Sequence, residues 1–97
     1  MARLGISKSA KQDLGDIYLY IARDSEEAAR HVLSKLYESF QAIAVQPGMG
    51  RTRDELKAGI RSHSTGKYIT YYQEVHGTVR ILRVLHGARD VEKIFRS

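Results

Sequence analysis

The side chains able to do chemistry in this sequence are few in kind. None of the 97 residues is cysteine, which removes thiol nucleophiles, disulfides and every cysteine-based zinc or iron–sulfur site. Four histidines, His31, His63, His76 and His86, supply the imidazoles. No two of them stand at i, i+4 around a Glu as a zinc-peptidase helix requires, so no metal is expected. His86 has the most suggestive surroundings, because it ends an apolar run just before Gly87 and Arg89, where a general acid can stand. A strand-end histidine bonded to a neighbouring carbonyl fits the same pattern. The second constellation is Tyr68, Tyr71 and Tyr72 in one short run, with Lys67, Arg61, Arg80 and Arg83 on it or beside it. Rings interleaved with cations are how single-stranded nucleic acid is held, yet tyrosines are equally good strand residues of which half face a core. The sequence has no glycine-rich phosphate loop, no GxSxG elbow and no paired acids on a strand.

The charge is unevenly placed. Up to Gly50 six bases (Arg3, Lys8, Lys11, Arg23, Arg30, Lys35) cancel six acids (Asp13, Asp16, Asp24, Glu26, Glu27, Glu38), so the whole excess of +5 lies after Gly50. An acidic protein or a nucleic acid suits that basic half. With 42% apolar and 28% charged residues the chain reads as one small globular domain over residues 1–97. No apolar stretch approaches the roughly 18 residues of a bilayer span, and MARLGISKSAK lacks the apolar core of a signal peptide, so a cytoplasmic location is expected.

The elements that must position these residues follow from periodicity. RLGIS reads as a short strand, after which Ser7 or Ser9 caps a helix. Ala10, Leu14, Ile17 and Ile21 form one helical face that stops near Asp24-Ser25. Ser25 starts a second helix with Glu26 and Glu27 favourably placed in its first turn. Ala29, Leu33, Leu36, Phe40 and Ile43 continue the apolar face until the breaker QPGMG at 46–50. Tyr18, Tyr20 and Tyr37 read as flank packing on these helices. After Gly50 the pattern predicts strands over 59–63, 67–75 and 78–86, with turns at Ser64-Thr65-Gly66 and His76-Gly77, and a short helix carrying Val91, Ile94 and Phe95. The expected fold class is α+β: an N-terminal strand, a two-helix hairpin, a three-stranded antiparallel meander completing one four-stranded sheet, and a short C-terminal helix. Strand 78–86 is apolar on both sides, with Val79, Ile81 and Leu85 on one face and Leu82 and Val84 on the other. It therefore reads as central, with either face free to meet the hairpin and the other covered by the C-terminal helix or a partner.

That order of elements, with PGMGRTRDEL at 47–56, Gly59-Ile60-Arg61, the strand 68–72 and ILRVLHGARD at 81–90, resembles the ParE toxins of the ParE/RelE toxin–antitoxin superfamily. The resemblance runs from about Arg3 to Phe95. It implies a ParD-like antitoxin partner whose C-terminal segment wraps the toxin, DNA gyrase as the target, and a toxin–antitoxin hetero-oligomer. RelE-type relatives cut messenger RNA in the ribosomal A site with Lys and Arg on the scissile phosphate and a C-terminal Tyr moving protons. On that pattern Lys57 and Arg89 remain as cations. Gly59 stands for a second Lys, Tyr68 for an Arg, and Phe95 for the catalytic Tyr. A phenyl ring moves no proton, and one lost transition-state donor alone is worth about 3 kcal/mol. The alternative is a ribonuclease using Arg89, Lys57 and His86, with Asp54 or Glu55 beside the imidazole.

The expectation is thus a non-enzymatic toxin without catalytic residues, cofactor or metal. It stabilises the cleaved-DNA complex of gyrase through Arg83, His86, Arg89, Lys93, Phe95 and Arg96. The antitoxin is expected in a groove between hairpin and sheet lined by Leu14, Ile17, Tyr18, Ile21, Leu33 and Leu36, with Arg51, Arg53 and Arg61 at its rim meeting acids.

Overall fold

A computed structural model describes residues 2–96. Its order is β1 (Arg3–Ile6), α1 (Lys8–Ala22), α2 (Glu26–Val45), a 3₁₀ turn (Pro47–Met49), β2 (Arg51–Thr52), β3 (Arg61–Thr65), β4 (Tyr68–Val75), β5 (Thr78–His86) and α3 (Val91–Arg96). Ser7 is the cap of α1, accepting from the Ala10 N–H at 3.0 Å. Ser25 does the same for α2 through Ala28 at 3.1 Å. Both hydroxyls satisfy backbone donors that the first helical turn leaves without partners. Among the described residues no helix is long and apolar enough to cross a membrane.

The four expected strands are present, and the two-residue β2 extends them to five in the order β1-β5-β4-β3-β2. β1 runs parallel to β5 and the remaining pairs are antiparallel. The strand expected over 59–63 begins two residues later, because Gly59 at φ +88° and Ile60 still belong to the loop, where the Ile60 N–H reaches the Lys57 carbonyl at 3.2 Å. At the β4–β5 turn, His76 at φ +52° and Gly77 at φ +77° join Val75 directly to Thr78. Two positive φ values in a two-residue loop are the geometry that matches the right-handed twist of a hairpin.

β5 carries the packing decision that periodicity leaves open. Its register with β4 shifts between Tyr71/Tyr72, so Tyr71 faces Arg83 while Tyr72 faces Ile81 and Leu82 has no counterpart. A bulge of one residue exchanges the two faces beyond it. Val79, Ile81 and Val84 consequently join Leu14, Phe40 and Tyr72 beneath the helical hairpin, whereas Leu82 and Leu85 turn to the opposite side. Strict alternation, which groups Leu85 with Val79 and Ile81, is corrected by that extra residue. The opposite side is closed by Leu56 and by Val91, Ile94 and Phe95 of α3, packed on Ile60, Tyr71 and Leu85.

The bulge also marks where β1 stops covering β5. Past Ile81, whose carbonyl accepts from the Ser7 N–H at 2.9 Å, the edge of β5 is met by side chains. Ser7 Oγ donates to the Leu82 carbonyl at 2.8 Å. Asp13, 8% exposed, accepts from the Val84 N–H at 2.9 Å and from both Nε and Nη2 of Arg83 at 2.7 and 2.9 Å. A two-pronged charge-assisted pair of this kind is among the stronger polar contacts in proteins. It raises the Arg83 guanidinium further above its ordinary value.

At the other end Tyr72, fully buried, donates to the Pro47 carbonyl at 2.7 Å and accepts from the Gly50 N–H at 2.9 Å. A Cβ at Gly50 would lie 2.8 Å from Tyr72 Cε1, so glycine is what lets the 3₁₀ turn close on the ring.

Asp13→Ala leaves the Arg83 charge and the Val84 N–H without their acceptor. A loss of about 3 kcal/mol is expected in urea unfolding, with Asp13→Asn keeping part of it. A change within about 0.5 kcal/mol, the ordinary surface range, would remove this pair from the stabilising contacts.

Candidate binding groove

α1 and α2 meet the β3–β4 hairpin and the end of β5 across an open groove of about 980 Å³. Its floor is apolar: Ile17 and Ile21 from α1, Val32 from α2 and Val84 from β5. Its walls are polar and mainly cationic, with Tyr20 and Asp16 from α1, His31 and Lys35 from α2, Lys67 and Tyr68 from the hairpin, and His86 and Arg89 beyond β5. The helical spacings explain who arrives there. Ile17, Tyr20 and Ile21 share one stripe of α1, and His31 and Lys35 stand one turn apart on α2.

Two imidazoles enter the groove, and His86 is the better held. Its Nδ1 lies 3.1 Å from the Ala88 N–H that it accepts, which puts the ring proton of the neutral form on Nε2. The Tyr68 ring meets it edge-on at a centroid distance of 5.8 Å. Burial raises the Tyr68 phenol, and nearby Tyr20 adds to the shift. Burial also raises Tyr72, opposed by the Gly50 N–H and the Arg61 charge.

The residues expected at a target surface divide into three places. His86 and Arg89 are in the groove. Arg83 lies at the β5 edge, its fork closed on Asp13. Lys93, Phe95 and Arg96 are on α3, on the far side of the sheet, where Phe95 packs edge-on to Tyr71 at 5.5 Å and Arg96 lies 3.7 Å from Glu92.

Of the residues expected to line an antitoxin groove, Ile17 and Ile21 do so. Leu14 and Leu36 are closed into the core at 4% and 0% exposure, and Leu33 packs partly buried against it. Tyr18 donates to Glu26 Oε1 at 3.1 Å. Arg51, Arg53 and Arg61 are away from this groove, at the β2–β3 edge. Arg53 pairs with Glu55 at 2.7 Å and stands over the Tyr71 ring at 5.6 Å. That bond raises the guanidinium and lowers the Glu55 carboxyl. Arg61 donates to the Gly50 and Gly48 carbonyls at 2.8 and 3.3 Å. Lys57, the third member of the ribonuclease set, sits exposed in the loop before β3, outside the groove that holds His86 and Arg89.

Sequence reasoning missed Tyr20, His31 and Lys35 as groove residues. The available signal was their helical spacing from Ile17 and Val32. What was absent from the sequence is the position of Lys67 and Arg89 opposite them.

The architecture is one found in toxin–antitoxin assemblies. A chain of the chromosomal ParDE TA system from P. aeruginosa superposes with a TM-score of 0.75 at 20% identity, over 89% of this chain and 96% of that one. A chain of the toxin–antitoxin complex RelBE2 from Mycobacterium tuberculosis does so at 0.59 and 26%, over 91% and 93%. Toxin ParE1 of Caulobacter vibrioides is 38% identical over 82 residues, 84% of each chain. Toxin ParE1 of Mycobacterium tuberculosis is 30% identical over 94 residues, 95% of this chain and 96% of that one. The family model described as ParE toxin of type II toxin-antitoxin system, parDE, matches residues 4–91. The chain belongs to the ParE toxin family.

The phenols of half-buried Tyr68 and buried Tyr72 both lie above the ordinary tyrosine value of about 10 in the folded chain. Their contribution to stability is therefore complete below about pH 10 and is lost as pH rises through the raised folded values. In near-UV absorbance titrations Tyr68→Phe and Tyr72→Phe should each remove one late-ionising phenol and flatten the alkaline stability loss. An alkaline limb unchanged in both variants would contradict the burial argument.

Proposed function

We propose that this ParE-type toxin acts by binding alone, preferring and so stabilising the cleaved-DNA complex of DNA gyrase. A ligand shifts an enzyme between states only by its differential affinity for them, and neither a covalent step nor a cofactor is needed. The observation that carries the non-catalytic reading is Phe95. Its ring is hydrocarbon packed on Tyr71 at the position where a RelE-type ribonuclease uses a tyrosine to move protons. The alternative, cleavage of ribosome-bound messenger by Arg89, Lys57 and His86, draws support from the 26% identity to a chain of RelBE2. It is weakened by Lys57 lying outside the groove that contains the other two.

The target contacts in this reading centre on His86 and Arg89 at the end of β5, with Arg83 at the β5 edge and Lys93, Phe95 and Arg96 reached separately on α3, across the sheet. A ParD-like antitoxin lays an amphipathic segment over Ile17 and Ile21, flanked by Tyr18 and Leu33, while Leu14 and Leu36 support that floor from within the core. Acidic side chains further along it meet Arg51, Arg53 and Arg61. The pair assembles as a hetero-oligomer in the cytoplasm.

Purified toxin added to a gyrase supercoiling reaction should accumulate linear cleaved DNA, an equimolar antitoxin should restore supercoiling, and Arg89→Glu should weaken inhibition by about tenfold. Full supercoiling at excess toxin would refute the gyrase target. Codon-spaced cuts in messenger on translating ribosomes would select the ribonuclease instead.

A further inference from the structure

We propose that the groove between the helical hairpin and the end of β5 binds single-stranded nucleic acid, stacking a base within it and holding the flanking phosphates on its cationic rim. The tyrosine and arginine constellation visible in the sequence is not this site. Tyr71 and Tyr72 are buried, Arg83 is closed on Asp13, and Arg61 is bonded to backbone carbonyls. Lys67 and Tyr68 are what survives of it, and the fold brings them partners from distant parts of the chain: Tyr20 from α1, Lys35 from α2 and Arg89 beyond β5.

The chemistry of this set fits a nucleotide. Tyr20 is 68% exposed, a flat ring at the mouth of a groove that also holds the partly exposed Tyr68 ring. Stacking on such rings suits any base. Among the described residues the side chains of Lys67 and Arg89 have no acidic partner, and Lys35 has only the exposed Glu38 at 3.5 Å. Of the acids on the lining, Asp13 is neutralised by Arg83, which leaves Asp16 against three cations. Cations at the rim of an apolar concavity focus their field into it. A volume of about 980 Å³ accommodates a nucleotide or a short run of them, while a duplex keeps its bases stacked away from the rings.

The site shares His86 and Arg89 with the gyrase-facing surface proposed above but does not rest on that reading. Only one consequence rests on the antitoxin placement above, namely that antitoxin and nucleic acid, sharing Ile17 and Ile21, exclude one another.

Fluorescence polarisation of a short labelled oligothymidylate with the full-length chain tests the site without gyrase or antitoxin, so a failed supercoiling assay and a failed binding assay remain separate results. Single strands should bind, with log K falling against log salt at a slope of about −2 for three phosphate contacts. Lys67→Glu and Arg89→Glu should each weaken binding about tenfold. Tyr20→Ala should do so about tenfold with the salt slope unchanged. Arg80→Glu makes the same charge change on the opposite face of the sheet, between the inward Val79 and Ile81, and should leave binding intact. An oligouridylate arm distinguishes RNA from DNA as the source of the strand, and binding of either supports the site. Equal losses from Arg80→Glu and Lys67→Glu would reduce the effect to diffuse basic attraction. A silent Tyr20→Ala or equal affinity for duplex would remove the stacking site. Displacement of the strand by poly-glutamate at equal charge concentration would reassign the groove to an acidic peptide.

Discussion

β5 lies between β1 and β4, but β1 is four residues long and β5 is nine. Beyond Ile81 the strand would present bare backbone groups to a partly buried edge, and an unmet buried donor costs about 1–3 kcal/mol. Ser7 and Asp13 supply the missing partners from the start of α1. The Arg83 fork balances the carboxylate that this places at 8% exposure. Because the two residues are bonded to fixed points on β5, the first half of α1 is docked in register with the sheet. The bulge at Leu82 belongs to the same arrangement, since it turns Val84 under the hairpin and Leu85 towards α3. One polar junction thereby ties α1 to β5 at the bulge that divides the strand between two cores.

The groove is a consequence of that docking. With Leu14 and Phe40 drawn into the core, the outer half of α1 stands above the end of β5, and the space between is floored by Ile17, Ile21 and Val84. The basic half of the chain then sorts its cations by task. Arg53, Arg61 and Arg83 are held by Glu55, by backbone carbonyls and by Asp13. Lys67 and Arg89 stay available at the groove. Such a surface is complementary to an anionic partner.

The second core explains why the chain can be so short. A sheet apolar on both faces needs two covers, and 97 residues supply one helical hairpin. The loop residue Leu56 and the six-residue α3 provide the other. Phe95 serves packing there, its ring edge-on to Tyr71.

Much of the fold was legible in residue order because it depends on near neighbours. The stripes at 10, 14, 17 and 21 and at 29, 33, 36, 40 and 43 are properties of a helix whatever surrounds it, and Ser7, Ser25 and His76-Gly77 act on backbone within a few residues. The family likeness also resides in local motifs held in order. The face assignment of β5 was not legible, since a bulge depends on pairing with β4 and on edge groups answered by Ser7 and Asp13, about 70 positions away. The groove was half legible. Ile17 and Ile21 follow from the helical stripe and His86 and Arg89 from their motif, but Tyr20, His31 and Lys35 become groove residues only when the hairpin docks opposite Lys67 and Tyr68. Composition and periodicity thus determined the elements and the sign of the charge. Which arginines are neutralised, which face is covered and which rings stay open were decided by contacts between distant segments, which no local pattern encodes.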